Sequence, residues 1–327
     1  EKLMEQRTFI QNFTVVCRIA VPEPAFNEYL YAAALEAISG VESPERAQWL
    51  RTLNLEMMRL ASFLMWIGGQ GGAFGQYTVA NWTLTYRDYV LDLFEEMTGA
   101  RIYHMYMLPG GVRAGLPAGF EKRILELMDN TDKLLDQIER VMYNNVVFKA
   151  RAKGLGIIPP EMVDPYGVVG PNARGSGFKR DLRKDEPYLV YDQLDFDVIT
   201  GSAGDAYERA YLRLQETRQS ISLIRQCIQG APSEGRFQAD MPNMLHWKVP
   251  AGMWAEDAVR AGFDEIQHIN MVFLNFYKDV TETRNPDRFI MVAERGADLD
   301  VDSEEFRDFV ALLRANDVAV DPTVAIF

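Results

Sequence analysis

The hydrophobic positions follow two different rhythms along the chain. From Asn27 to about Ile228, apolar residues recur at spacings of three and four, which is the period of an amphipathic helix. After Ser43 and Pro44 this spacing unites the apolar residues of one predicted helix face, namely Leu50, Leu53, Met57, Leu60, Leu64 and Ile67. Similar stripes predict long helices at about 120–142 and 205–228. The pattern therefore predicts a bundle of long helices.

Turn-forming residues divide this helical region. Gly40 is predicted to end a first helix, and Ser43 to cap the second, with Pro44 in its first turn. The glycine-rich stretch 68–75 predicts a break before a helix over about 86–98, which Gly99 is predicted to end. Residues 154–200, rich in proline and glycine, predict one extended loop, and the β-branched residues of 1–25 predict extended structure.

The rhythm changes after Gly252. A short helix over 255–261 precedes the strand-like run 264–269. Asp302-Ser303 predicts the cap of a helix that ends near Leu313, with Glu305 placed to complete a capping box with Asp302. A second strand-like run occupies 318–327. Alternating helices and strands are typical of α/β proteins with parallel sheets. We therefore predict a helical domain over 1–248 and a partial α/β segment over 249–327.

Composition excludes several classes of function. The formal net charge of −13 argues against a nucleic-acid partner, because phosphates require a basic surface. The two cysteines, Cys17 and Cys227, are far apart and form no Cys-x-x-Cys pair, so cysteine spacing predicts no iron–sulfur, zinc or nickel site. They also exclude a disulfide scaffold, and a reducing compartment is the simplest interpretation. The apolar run 57–67 is too short for a membrane span and contains Arg59.

Several long strings carry a family resemblance, in order along the chain: "EKLMEQRTFIQ", "NEYLYAAALEAISGVESPERAQWLR", "DLFEEMTGARIYHMY", "DLRKDEPYLVYDQLDFDV" and "GDAYERAYLRLQETRQSISLIRQC". The region up to about residue 252 closely resembles the quinone-site subunit of respiratory complex I. This is the D-type or 49-kDa-type subunit, which is related to the large subunit of nickel–iron hydrogenases. The resemblance implies a mainly α fold, a long-helix bundle of the hydrogenase large-subunit type.

The resemblance also implies a function and a set of partners. Subunits of this family offer a pocket that brings the quinone head group near an iron–sulfur cluster held in a partner subunit. The implied partners are the cluster-bearing small subunit, a C-type subunit and the membrane arm, and the implied location is peripheral, on the cytoplasmic or matrix side of the membrane. NADH binds another subunit of such a complex. By this resemblance the chain would be a fragment that does not catalyse by itself.

One residue is carried over as the quinone contact. The tyrosine of the "NE..Y" helix is Tyr31 here, and a phenol suits the role because it is a neutral donor near pH 7. From the residues alone, Tyr31 is equally a residue that packs on a helix. The family's second donor, a histidine, would precede Glu1. The aspartate that supports that histidine corresponds to Ala73, and another family aspartate to Gly115.

The final 75 or so residues resemble a different family. "VPAGMWAEDAVRAGFDEIQHIN" and "DVAVDPTVAIF" resemble the sixth and seventh strands of imidazolonepropionase-like metal-dependent amidohydrolases, which are (β/α)₈ (TIM) barrels. The resemblance makes His268 a metal-ligand remnant, expected to be unoccupied because one imidazole cannot hold a catalytic zinc. We interpret the change at 249–252 as an artificial join of two genes, with a natural fusion as the alternative.

Three hypotheses of function follow. The main one is a quinone-site subunit of an NADH-quinone oxidoreductase. The second is a metal-dependent amidohydrolase that hydrolyses a C–N bond, and the third is a helical scaffold without catalytic activity. His104, in "IYHMY", is expected to be a packed or interfacial residue rather than a metal ligand.

Overall fold

The computed structural model describes residues 2–5, 7–240, 255–260, 265–267, 275–277 and 294–321. It contains two compact units, Phe13–Pro242 and Glu1–Asn12 together with Asn243–Phe327. The helices are α1 Lys2–Glu5, α2 Phe9–Val16, α3 Pro24–Ser39, α4 Glu45–Ala73, α5 Tyr77–Thr98, α6 Phe120–Ile138, α7 Val146–Ala152, α8 Pro160–Val163, α9 Gly170–Gly175, α10 Leu182–Asp185, α11 Ala206–Gly230, α12 Ala255–Arg260 and α13 Glu304–Ala315. The strands are β1 Met107–Leu108, β2 Gly111–Val112, β3 Glu265–Gln267 and β4 Ala319–Asp321.

Helix α4 is the centre of the larger unit. It packs along α5 and α11, and every residue from 49 to 64 is buried except Arg59. A helix that is buried on all sides belongs to the interior of a bundle rather than to its surface. The sequence pattern predicted one apolar stripe here, whereas the structure buries the polar face as well. The predicted helical bundle is confirmed.

Most of the glycine-rich stretch is helical, which narrows the break predicted over 68–75 to a short turn after Ala73. Helix α4 continues through it to Ala73. A Cβ atom on Gly68 would lie 2.5 Å from Oγ1 of Thr83, and one on Gly71 would lie 3.2 Å from Val79. The glycines therefore permit the close approach of α4 and α5, and this packing outweighs their low helix propensity.

The first 25 residues are also helical, contrary to the extended structure predicted for them. Helices α1 and α2 occupy this segment, followed by a turn that leads into α3. The side chains of Phe13, Val16 and Cys17 are buried. Their spacing of three and four lets one side of a helix bury all three, and this tertiary packing overrides the β propensity of the segment.

Helix ends agree only in part with the sequence signals. Gly40 and Gly99 adopt the left-handed conformation that ends α3 and α5, as glycine allows. The predicted cap at Ser43 is wrong, because α4 begins at Glu45 after Pro44 and has no side-chain cap. Helix α6 continues as a π-helical turn over Glu139–Tyr143. Residues 154–200 form the predicted loop-rich segment, which contains only the short helices α8 to α10 and one 3₁₀ turn.

The described part of 243–327 has the predicted alternation of helix and strand, in the order α12, β3, α13 and β4. Strands β3 and β4 pair in parallel, with Ile266 opposite Val320, and α13 lies between them in sequence. Of the predicted Asp302-Ser303 cap, Ser303 is the residue that caps α13, by accepting a hydrogen bond from the N–H of Phe306, so the capping box predicted for Asp302 is wrong. One parallel pair, which is what the described residues of 255–321 contain, does not establish a barrel, so the predicted TIM-barrel fragment is not supported.

Candidate functional site: an arginine-lined cavity

A cavity of about 570 Å³ lies in the larger unit, where the loop-rich segment covers α3 and α4. Helix α3 contributes Phe26 and helix α4 contributes Arg59, while the rest of the wall comes from 163–188. The wall includes four arginines and three aspartates, which are Arg59, Arg174, Arg180, Arg183, Asp164, Asp181 and Asp185. Its volume lies within the range of small-molecule sites, about 300–1,000 Å³.

Three aromatic residues, Phe26, Phe178 and Tyr188, line this cavity. Tyr188 stacks on Tyr29 with ring centroids 5.4 Å apart, and it meets Tyr191 edge-on at 4.9 Å. The guanidinium of Arg59 lies over the ring of Phe26, 5.5 Å from its centroid. Tyr29 and Tyr191, which do not line the cavity, hold the ring of Tyr188 in place, and Arg59 is a cation beside the ring of Phe26.

A buried network of charges supports the wall. Arg183 donates from Nη1 to Oε1 of Glu56 at 3.1 Å, and from Nε and Nη2 to the carboxylate of Asp181 at 3.0 and 2.8 Å. The hydroxyl of Tyr191 donates to the same Glu56 oxygen at 2.6 Å. Burial opposes the ionisation of Glu56, but Arg183 and Arg59 hold its pKa below the ordinary value. The network thus keeps an ionised carboxylate inside the bundle.

A second buried pair anchors α9 to α11. Arg174 donates from Nε to Oε1 of Glu216 at 2.7 Å and from Nη1 to the carbonyl of Arg180 at 3.1 Å. Both side chains of the pair are almost completely buried. The loop that carries Arg180 and Asp181 is therefore tied to the helical core through charge-assisted hydrogen bonds.

Arg59 differs from these two arginines. Its Nε lies 3.5 Å from Oε1 of Glu56 and, within the part of the chain that the structure describes, is buried without a hydrogen-bond partner. Tyr188, the phenol that lines the cavity, has its pKa raised by burial. It therefore remains a neutral hydrogen-bond donor at physiological pH.

Tyr31 lies elsewhere on α3. It is half-buried, and its ring meets Phe13 edge-on with centroids 5.0 Å apart. Tyr31 is not among the residues that line the cavity. The role carried over to it by resemblance therefore stays a prediction.

The structure tests the prediction for His104 but not the one for His268. His268 lies outside the described residues. His104 is buried, stacks on Phe94 at 4.1 Å, and has its pKa lowered to about 4 by burial. It is a packed residue, as the sequence predicted. Across the residues that the structure describes, no group of three His, Cys, Asp or Glu side chains is placed to hold a metal ion.

Sequence reasoning missed the cavity residues. Arg59 and Glu56 were visible as charges within an apolar run, and a buried charge requires a partner. "DLRKDEPYLVYD" contains Asp181, Arg183, Tyr188 and Tyr191, but its local pattern indicates only the family. These charges and rings can be seen in the sequence. Their contact cannot, because α4 and the loop are about 125 residues apart and meet only in the folded chain.

The fold and the cavity define a helical subunit with a small-molecule pocket walled by arginines and aromatic rings.

The sequence profile of the 49-kDa subunit of respiratory-chain NADH dehydrogenase matches residues 73–286. The D-type subunit of the NADH-quinone oxidoreductase of Thermosipho melanesiensis is 42% identical over 254 residues, covering 77% of this chain and 69% of that protein. The D-type subunit of the F(420)H(2) dehydrogenase of Methanosarcina mazei is 36% identical over 255 residues, covering 77% and 68%.

A solved structure shares the fold. A chain of the membrane-bound sulfane sulfur reductase, an archaeal respiratory membrane complex, superposes with a TM-score of 0.73 at 37% identity. The match covers 75% of this chain and 66% of that one, so the chain spans about two thirds of the length of these relatives. The chain belongs to the family of the 49-kDa subunit of respiratory-chain NADH dehydrogenase, and its function is D-type-subunit-like.

The family match also bears on the predicted join. It extends to residue 286, beyond the predicted change at 249–252, so the amidohydrolase segment and the chimera are not supported. A change from long helices to alternating helix and strand is a change of architecture, which one family can contain. No helix among the described residues is long and apolar enough to cross a membrane.

Proposed function

We propose that this chain supplies the quinone-binding cavity of a membrane-attached respiratory complex. In this proposal a partner subunit carries the iron–sulfur cluster that delivers electrons, and the 570 Å³ cavity receives the quinone head group. The observation that carries the proposal is the combination of aromatic walls, a neutral phenol and a cation in one cavity of a 49-kDa-type fold.

The lining suits the chemistry of quinone reduction. A quinone head group is a flat ring that can lie against Phe26 and Tyr188. Its carbonyl oxygens need hydrogen-bond donors, because negative charge develops on them as electrons arrive. The hydroxyl of Tyr188 and the guanidinium of Arg59 are donors of this kind.

Two tyrosines compete for the role of phenolic donor. Family resemblance suggests Tyr31, whereas geometry favours Tyr188, which lines the cavity. We assign the donor to Tyr188, and Tyr31 remains the alternative. Phenylalanine variants of the two residues separate these assignments.

The partners follow from the family. The chain has no Cys-x-x-Cys pair, which supports a cluster held by a small partner subunit. A C-type subunit and a membrane arm complete the proposed complex, with this chain peripheral on the cytoplasmic or matrix side. The relatives' names include two different electron donors, NADH and F(420)H(2), so the family alone does not assign the donor of this complex.

A second acceptor class is an anionic chain of sulfane sulfur. The name of the structural relative suggests it, and the four arginines of the cavity wall favour an anion. The aromatic wall and the pairing of Arg174 and Arg183 with acids favour a neutral ring instead. Quinone is therefore the first candidate.

Photoaffinity labelling tests the proposal on the complex purified through this chain. An azidoquinone is expected to label Phe26, Tyr188 and residues of 163–183, and excess unlabelled quinone should suppress the label. A complex with Ile38→Ala, a change at an exposed position of α3, should label as the wild type does. Labelling confined to other segments, or competition by polysulfide but not by quinone, would reject the assignment. Steady quinone reduction by the chain alone would also contradict it.

A further inference from the structure

Two aromatic rings hold the ring of Tyr188, and they differ in how firmly they are fixed. Tyr191 meets Tyr188 edge-on at 4.9 Å, and Tyr191 is itself buried and donates a 2.6 Å hydrogen bond to Glu56. Tyr29 stacks on Tyr188 at 5.4 Å, with 24° between the ring planes, and is only half-buried. Tyr29 and Tyr191 do not line the cavity, so either of them acts on a ligand there through Tyr188.

Tyr29 has open space beside it. It lines a second, smaller cavity of about 280 Å³ together with Leu189, whereas Tyr188 lines the larger cavity. The stacked pair therefore stands between two cavities, and the smaller one has room for several water molecules. Its wall includes three polar residues that suit a phenol as hydrogen-bond partners, namely Glu42, Ser43 and Gln48.

The backbone next to Tyr188 is strained. Leu189 has a φ of 53°, in the left-handed region that residues other than glycine rarely adopt. For such a residue this conformation is unfavourable by about fivefold to thirtyfold in an equilibrium constant. A strained residue keeps its conformation only where the surrounding contacts hold it. The stack on Tyr29 is the contact of this segment that adjoins open space.

We infer that Tyr29 is a positioning residue, which holds the phenol of Tyr188 in the larger cavity and acts on the ligand only through it. This inference rests on the proposed quinone function and deepens it, because it names what keeps the hydrogen-bond donor in place. Without the ring of Tyr29, the backbone relaxes at Leu189 and the ring of Tyr188 moves toward the smaller cavity. The donor then leaves the quinone oxygen.

A double-mutant cycle on the intact complex tests this inference, with equilibrium titration of a short-chain quinone as the measurement. Tyr29→Leu removes the flat ring and should weaken binding about twofold to tenfold, as Tyr188→Phe does. Tyr29→Phe keeps the ring and should bind as the wild type does. The double variant Tyr29→Leu with Tyr188→Phe should bind no more weakly than Tyr188→Phe alone, because the same hydrogen bond is lost only once. Additive losses, or wild-type affinity in Tyr29→Leu, would overturn the inference.

Tyr211→Leu is the matched control. Tyr211 also stacks on a tyrosine, Tyr207, with centroids 6.0 Å apart, but both residues are absent from the cavity wall. The quinone affinity of this variant should equal that of the wild type. A loss as large as that of Tyr29→Leu would assign the effect to general destabilisation and reject the positioning role.

Leu189 supplies a second test, in the background of Tyr29→Leu. Leu189→Gly removes the strain because glycine adopts a positive φ freely, whereas Leu189→Ala keeps it. The glycine variant should recover about twofold to fivefold in affinity, and the alanine variant should recover none. Equal affinities of these two variants would show that strain does not move Tyr188, contrary to the inference.

The structure of the Tyr29→Leu complex gives a readout that needs no quinone. The ring of Tyr188 should have left its wild-type position, and an unmoved ring would refute the positioning role. If the leucine variant does not assemble, Tyr29→Met takes its place with the same expectations. If Tyr188→Phe binds quinone as tightly as the wild type, the donor assignment has failed and the inference fails with it. A loss in Tyr188→Phe without a loss in Tyr29→Leu refutes the inference alone.

Discussion

The carboxylate of Glu28 accepts a 2.7 Å hydrogen bond from the backbone N–H of Met105, 77 residues further along the chain. The same carboxylate accepts a 3.0 Å bond from the N–H of Tyr106. Glu28 is completely buried, and Met105 has a positive φ of 44°. The contact holds the segment before strand β1 against helix α3 in a backbone conformation that non-glycine residues rarely adopt.

Glu28 makes the stability of the protein depend on pH. Burial raises its pKa to about 6, although the backbone N–H groups of Met105, Tyr106 and Met107 and the charge of Arg113 oppose this. The folded state therefore binds the proton more tightly than the unfolded chain, and this contribution to stability grows as pH falls through about 6 and is lost as pH rises. We expect the wild type to gain roughly 1 kcal/mol relative to Glu28→Gln between about pH 7.5 and about pH 5.

Urea denaturation of both proteins at the two pH values measures this difference. Because the glutamine variant keeps every other titrating group, the comparison isolates Glu28. Equal pH dependence in the two proteins would show that Glu28 titrates normally.

Gly68 and Gly69 are adjacent glycines of α4 for which we expect opposite effects of alanine. A Cβ on Gly68 would collide with Thr83, whereas a Cβ on Gly69 meets nothing within 4 Å. Gly68→Ala should lower the free energy of unfolding by about 1–3 kcal/mol, because α4 and α5 would have to separate. Gly69→Ala should raise it by up to about 1 kcal/mol through helix propensity. Thermal or chemical unfolding of the two variants measures these changes in free energy. Equal effects of the two substitutions would refute close helix packing at Gly68.

Arg174 and Arg225 contrast a buried with an exposed ion pair. Arg174→Leu leaves the carboxylate of Glu216 buried without its partner and should cost about 3–5 kcal/mol of unfolding free energy. Arg225→Leu removes partly exposed pairs to Asp129 and Asp132 and should cost less than about 1 kcal/mol. Chemical denaturation measures both. A small cost at Arg174 would mean that Glu216 is protonated or solvated when its partner is absent.

Tyr188 and Tyr31 give the sharpest test of the cavity assignment. Tyr188→Phe removes the phenol of the cavity and should weaken quinone binding by the complex about twofold to tenfold, the usual worth of one hydrogen bond. Tyr31→Phe should leave the affinity unchanged, because Tyr31 does not line the cavity. The reverse result would support the role carried over from the family and move the quinone site away from this cavity. Equilibrium titration with a short-chain quinone measures both variants.

The comparison of sequence with structure shows where local signals fail. The glycines at 40 and 99 end helices as predicted, because a left-handed residue after a helix is a local requirement that glycine meets. The glycines at 68 and 71 have the same composition signal but lie within a helix, because helix α5 approaches them there. No local pattern distinguishes a glycine that ends a helix from one that admits a neighbouring helix.

The sequence by itself determined the helical bundle, the alternation of helix and strand after residue 255, and the family. These properties depend on spacing and on long ordered strings of residues, which need no knowledge of distant contacts. Only the tertiary structure decided the cavity. Glu56 and Arg59 are separated by about 125 residues from Arg183 and Tyr188, and only the folding of the 163–188 segment over α4 brings their charges and rings together.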